Sequence, residues 1–473
     1  MKKILLYAAV LGLAFHSAAF ADDYTLDGTE EPDAIPNIAS NSVDAPARIQ
    51  PSSKPQPAES NDLVRDGDVP LVPPILIKNP NGTLEISQEY LLVQYTQGNS
   101  RNRKPQANSD EPKQPENNAP SVGALSAMSE AERAAALKKA IWATLVANTR
   151  RGLNTQTNSP HDILLMTLPY GADAKVWQPN PNAANARKNA EPQGNAVYTV
   201  GALCWNYPCA GKTMLRTDGS RVIAKVGHGY QQRPGSLLAL MAMSNIMPNY
   251  EIKVGGGTYT ITNLIESEKA FVASGQNLSL ELVALSFYGK TKDQWKNDLG
   301  ATWSIEKMVT EELNRSIDQG TSEATDWLLG LTAAVKLYEE EKKPIRGPMA
   351  LAKKQIKTYQ DFVLSVQNDT HLWHPKFFLY KGTNPDAYET LFSSGHILRW
   401  LMMSLPDKEL NNPQVVKAVT SLNATLNRIP STATTTMLND RQLEAIAVSL
   451  HALSLYHQRV FGNETPDKAV AAR

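Results

Sequence analysis

The residues best suited to chemistry lie in "YETLFSSGHILRWL". His396 and Arg399 stand one helical turn apart, and Tyr388 lies two turns before His396, so one helix face holds all three. An imidazole or a phenol hydroxyl there could take a proton while the guanidinium steadies a carboxylate, which is acid–base chemistry. Trp400 follows at the adjacent i+4 position of the same segment. His228 in "VGHGY" and His451 in "SLHALSLY" join it as candidate ligand contacts, provided that helix ends meet the hairpins. The alternative is that these histidines are hydrogen-bonded core residues closing helix contacts. His371 and His374 in "DTHLWHPKFF" have a metal-like spacing, but Pro375 follows at once, and outside a helix the spacing loses its meaning.

The two cysteines, Cys204 and Cys209, fall in "GALCWNYPCAGKTM". Four residues separate them, and Asn-Tyr-Pro suits a tight turn. A disulfide is expected here, with a loop-entropy contribution of about 2 kcal/mol. Free thiols and a metal site are the alternatives. Zinc would need further ligands, and a thioredoxin-like site would have two intervening residues.

The elements that must position these residues begin after a long preamble. Lys2 and Lys3, an apolar run from Ile4 to Phe15 and Ala19-Phe20-Ala21 predict a cleaved signal peptide over 1–21, and with it an exported, disulfide-permissive setting, periplasmic or extracellular. No later apolar run is long enough to predict a transmembrane segment. Residues 22–125 are rich in Pro, Asn, Ser and Gln and read as a disordered tether, with a short ordered arm near 70–98 around Asn81-Gly82.

From 126 to 462 the pattern is that of a folded domain, followed by a tail at 463–473. Ser129 with Glu132, and Ser159 followed by Pro160, open two helices. A β-rich insert at 200–262 holds hairpins around Asp218-Gly219 and Gly255-Gly256-Gly257. Helical periodicity then predicts segments at 263–274, 279–288, 304–316, 322–341, 347–367, 386–404, 413–427 and 440–461. Helices of this length with intervening loops suggest antiparallel pairs. The expected fold is mainly α, an α/α toroid with inserted β-hairpins.

"LCWNYPCAGKTML", "VGHGYQQRPGSLLALMAMSNI", "SSGHILRWLMMSLPDKELNNPQVVKAV" and "LHALSLYHQRVFG" resemble an uncharacterised planctomycete family over about 195–462. Its members carry the label of an ADP-ribosylation-factor-directed GTPase activating protein, an activity that uses a four-cysteine zinc module this chain lacks. The helical half is similar in architecture to terpenoid cyclases and protein prenyltransferases. Their chemistry does not carry over: there is no Asp-x-Asp-Asp run and no cysteine after Cys209. Nor is there a GxGxxG after a strand, a GxxxxGK[ST] or an HExxH, so no cofactor or metal is expected.

Lys plus Arg equals Asp plus Glu at 47 each and the charges are interspersed, so no basic stripe points to nucleic acid or an anionic membrane. Two classes of function remain. One is a non-catalytic exported protein that binds a glycan or another envelope protein. The other is a carbohydrate-active enzyme, a polysaccharide lyase or hydrolase with Tyr388, His396 and Arg399 in a toroid cavity.

Overall fold

The computed structural model describes residues 76–78, 84–86, 129–149, 153–179, 194–315, 321–377, 381–430 and 438–462. The expected signal peptide, nearly all of the tether and the tail lie outside these residues. Within the arm at 70–98, β1 (Leu76–Lys78) and β2 (Leu84–Ile86) pair antiparallel, Leu76 opposite Ile86.

The described chain is mainly helical. In chain order the helices are α1 (Glu130–Asn148), α2 (Pro160–Thr167), α3 (Thr199–Cys204), α4 (Ser236–Met243), α5 (Ile261–Phe271), α6 (Ser279–Tyr288), α7 (Ile305–Asn314), α8 (Thr321–Glu340), α9 (Gly347–Ser365), α10 (Ala387–Ser404), α11 (Pro413–Asn427) and α12 (Asp440–Phe461). Their starts follow capping chemistry. Ser129 accepts from the Glu132 amide while the Ser129 amide donates to the Glu132 carboxylate, and Ser159 with Asp162 repeats this ahead of α2. Asn439 and Gln442 do the same for α12. Among the described residues no helix is long and apolar enough to cross a membrane.

Two helices inside the insert were not expected, α3 and α4. The sequence of α4, "SLLALMAM", is apolar on every side, and all of Leu237 to Ala242 is buried, so no amphipathic period marks it. Four further antiparallel pairs accompany the helices: β3 (Lys175–Pro179) with β4 (Gly194–Tyr198), β5 (Leu215–Thr217) with β6 (Val222–Ala224), β7 (Glu251–Val254) with β8 (Gly257–Thr260), and β9 (Gln294–Lys296) with β10 (Thr302–Ser304). The last pair sets Trp295 opposite Trp303, in a stretch with no predicted strand.

One core joins these elements, and its centre is α8, α10 and α12. Close approach of α10 to α12 depends on Gly395, where a Cβ would lie 2.8 Å from both the amide nitrogen and Oγ of Ser449. Ser449 Oγ in turn donates to the Leu391 carbonyl at 3.0 Å, which locks the register of the two helices. Trp400 and Trp373 are fully buried and each finds an acceptor: Trp400 Nε1 donates to Thr332 Oγ1 at 3.2 Å and Trp373 Nε1 to the Val363 carbonyl at 2.6 Å.

Candidate functional site

The expected disulfide is absent. Cys204 and Cys209 are both free and both buried. Cys204 closes α3 and packs into the core, whereas Cys209 lies past a turn in which Asn206 takes a left-handed φ of 57°. Asn206 uses both ends of its amide on Leu215, donating to its carbonyl at 3.2 Å and accepting from its amide at 2.7 Å. The Cys209 thiol donates to the Tyr207 carbonyl at 3.3 Å instead of meeting Cys204. Hydrogen bonding by Asn206, not sulfur, ties this loop to β5. Burial pushes the Cys204 thiol up to about 12 and the Cys209 thiol to about 11, so neither carries a thiolate at neutral pH.

Helix α10 does bring His396 and Arg399 together. Both are buried, 2% and 5% exposed, and Arg399 Nη2 donates to His396 Nδ1 at 3.3 Å. A guanidinium can only donate, so Nδ1 must be the unprotonated nitrogen of a neutral ring. The proton therefore sits on Nε2, which donates to Glu444 Oε1 of α12 at 3.2 Å. Burial lowers the His396 pKa first and the neighbouring Arg399 charge adds to it, outweighing the attraction of Glu444. Burial alone would raise Glu444, yet the hydrogen bond from His396 and the charges of Arg399 and Arg441 hold it below the usual carboxylate range.

Asp326 of α8 completes the cluster, and the sequence reading missed it. Its Oδ1 accepts from Arg399 Nη2 at 2.6 Å, and its Oδ2 accepts from Arg233 Nη1 at 2.9 Å. A lone acid inside the apolar "TDWLLGLTAAV" was the available signal, because a buried carboxylate needs a partner. On the outer side Arg441 lies over the Phe392 ring, 3.1 Å from its centroid, and its guanidinium bonds both Glu389 carboxylate oxygens at 3.1 and 3.0 Å. That pair covers Phe392, whose ring packs 4.5 Å from that of His396.

The other expected site residues are distributed elsewhere. Tyr388 is half-buried in the first turn of α10 and makes no hydrogen bond to the cluster. Trp400 is a core residue bonded to Thr332. His451 is buried on α12, its Nδ1 lacks a partner among the described residues, and burial with the Arg399 charge drives its pKa down to about 3. His228 is exposed on the loop after β6, where its carbonyl accepts from Lys212 Nζ at 3.1 Å. His371 takes a left-handed φ of 63° in a turn, and the His374 ring accepts from the Lys376 amide at 3.0 Å. Among the described residues no three His, Cys, Asp or Glu side chains gather as a metal site would require.

An exposed aromatic residue meets a cation on the insert. Trp205, 43% exposed, follows α3, and Lys253 Nζ stands 4.3 Å from its ring centroid. Together with Asn206, the Gly255–Gly257 turn and Thr258 they line an open recess of about 350 Å³. Residues 205–260 hold six Lys and Arg against Asp218 and Glu251, but Arg221 is paired with Asp298 and Arg233 with Asp326, which leaves a local surplus of two positive charges.

Fold and geometry thus define a mainly helical protein with a buried ionic cluster inside and an exposed tryptophan–lysine pair on its hairpin insert. No family model, curated protein or solved structure matches the chain.

Proposed function

We propose that this chain is an exported, non-catalytic binding protein of the cell envelope, whose helices pair into an α/α toroid and whose hairpin insert meets the ligand. Both nitrogens of His396 are engaged by Arg399 and Glu444 in a buried position, and this observation carries the reading. A general base needs a free lone pair within reach of a substrate proton. His396 offers none, so its role is to join α10 to α12. The exposed Trp205, with Lys253 over its ring, lines an open recess on the insert, and this supports a binding role. The paired lysines and apolar run at the N-terminus support export.

A thermal-shift screen of the full chain against a glycan panel tests this, since ligand that binds the native state raises apparent stability. Stabilisation by at least one glycan without its cleavage is expected. Cleavage of an acidic polysaccharide that disappears in His396→Gln would overturn the reading in favour of a lyase.

A further inference from the structure

The base of the β5–β6 hairpin holds two ammonium groups without a carboxylate partner. Lys212 Nζ lies 5.5 Å from the Tyr230 ring centroid and Lys225 Nζ 5.4 Å from the same centroid. Each is fixed by a neutral acceptor: Lys212 by the His228 carbonyl at 3.1 Å, Lys225 by Thr213 Oγ1 at 2.8 Å. All three side chains are half-buried beside the exposed Val226–His228 loop. The backbone sets this convergence, because the Lys225 amide donates to the Met214 carbonyl across the hairpin and the Tyr230 amide to the Gly227 carbonyl in the turn that follows.

Two like charges gathered at one ring repel each other, and no Asp or Glu among the described residues pairs with either. By contrast Arg221, on the same hairpin, is matched by both carboxylate oxygens of Asp298. An anion placed between the two lysines relieves the repulsion with charge-assisted hydrogen bonds. The Tyr230 ring beside them suits the flat C–H face of a pyranose.

We propose that Lys212, Lys225 and Tyr230 form a subsite for an acidic saccharide, the ammonium groups taking a uronate carboxylate or a sulfate ester while the sugar ring packs on Tyr230. This names a ligand class for the hairpin insert and rests on the reading of the insert as glycan-binding.

Calorimetric titration of the full chain with oligogalacturonate, a chondroitin sulfate fragment and a neutral malto-oligosaccharide tests it. At least one acidic saccharide binds and the neutral one does not, and binding weakens roughly tenfold between about 50 and about 300 mM NaCl. Lys212→Gln with Lys225→Gln lowers affinity about tenfold or more, as loss of two charge-assisted contacts requires. Lys212→Arg with Lys225→Arg retains binding, which separates loss of charge from loss of fold. The pair Lys408→Gln with Lys417→Gln, before and within α11 and equal in charge removed, leaves affinity unchanged.

Equal weakening by the control pair, failure of the arginine pair, or binding of polyglutamate or duplex DNA as tight as that of the saccharide overturns the subsite. Neutral saccharide binding that survives Lys212→Gln with Lys225→Gln also overturns it, while leaving the binding-protein reading intact. Silence across the whole panel removes both.

Discussion

Asp326 lies between two guanidinium groups, Arg399 at 2.6 Å and Arg233 at 2.9 Å, and so joins α8 to α10 and to the loop before α4. Arg399 is buried and Arg233 is partly solvated, so the two arginines depend on the carboxylate unequally. Removing it leaves Arg399 charged in a medium that solvates it poorly. Asp326→Ala is expected to cost about 3–5 kcal/mol in urea unfolding. The double replacement Asp326→Leu with Arg399→Met, which removes both buried charges, is expected to cost less than Asp326→Ala alone. A double variant that loses at least as much as the single one would show that the ion pair contributes packing or geometry beyond charge compensation.

The cysteines give a simpler expectation. Both thiols are buried and held well above neutral pH by that burial. The native protein is expected to leave a thiol-specific chromogenic disulfide reagent unreacted for far longer than a small-molecule thiol does, and to react at both cysteines once unfolded in urea. Dithiothreitol is expected to leave the melting temperature unchanged. A native mass two hydrogens short, restored by reductant, would restore the disulfide.

Much of the helical frame is legible because its signals are local. Capping residues at Ser129, Ser159 and Asn439 mark helix starts through bonds made within three residues, and α11 and α12 match the predicted bounds at 413–427 and 440–461. Helix α4 is not legible, because burial on all sides erases the period that identifies an amphipathic helix. The Trp295–Trp303 hairpin escapes for a related reason: three-residue strands are too short to establish alternation. At the cluster, turn spacing predicted the His396–Arg399 contact, whereas Asp326 and Glu444 come from helices 73 and 48 residues away in sequence and are joined by packing alone. The cysteine spacing misled because it carries no information on where Asn206 sends the chain.

Gly395 tests the helix contact on which that cluster stands. A methyl group there meets the Ser449 amide nitrogen and hydroxyl at 2.8 Å, and backbone on a packed helix cannot move aside as a flexible side chain would. The gain in helix propensity from Gly to Ala, about 1 kcal/mol, opposes this. Overpacking of a tight core costs about 1–3 kcal/mol or more. Gly395→Ala is therefore expected to be destabilising in net terms, and Gly395→Ala with Ser449→Gly to recover part of the loss. An Ala variant as stable as the parent would mean that α10 and α12 separate readily.

His451 and acid stability are linked through a definite sign. Its folded-state pKa, lowered to about 3 chiefly by burial and then by Arg399, lies below the ordinary value of 6.5. Between these values the unfolded chain binds a proton that the native state refuses, so this residue's contribution to stability falls as pH drops, by at most about 1.4 kcal/mol per pH unit. Unfolding free energies of the parent and of His451→Leu, compared from about pH 7 down to about pH 4, are expected to show the parent's advantage shrinking with acidification. Parallel curves would mean that the imidazole takes up its proton without leaving the folded state.

Two carboxylates on successive helices produce the opposite dependence at higher pH. Glu268 of α5 and Glu281 of α6 are both buried, and burial raises them to about 7 and about 8, with Glu268 and then Glu312 of α7 adding repulsion at Glu281. Glu312 is answered by Arg315, which also pairs with Glu323, and by bonds from the Leu278 amide and the Ser279 hydroxyl. Glu281 Oε2 has no such partner among the described residues. In the native state Glu281 thus keeps a proton that the unfolded chain releases above its ordinary pKa of 4.5, and stability from this site is lost as pH rises toward 8. Glu281→Gln removes the titration and keeps the shape. The variant is expected to gain on the parent steadily between about pH 5 and about pH 8 in urea unfolding, then to hold a constant difference above that range, where the parent's Glu281 is ionised in both states. A difference that stays flat across the whole range would place the carboxyl in contact with water or with a cation, and would remove the buried proton from this face of α6.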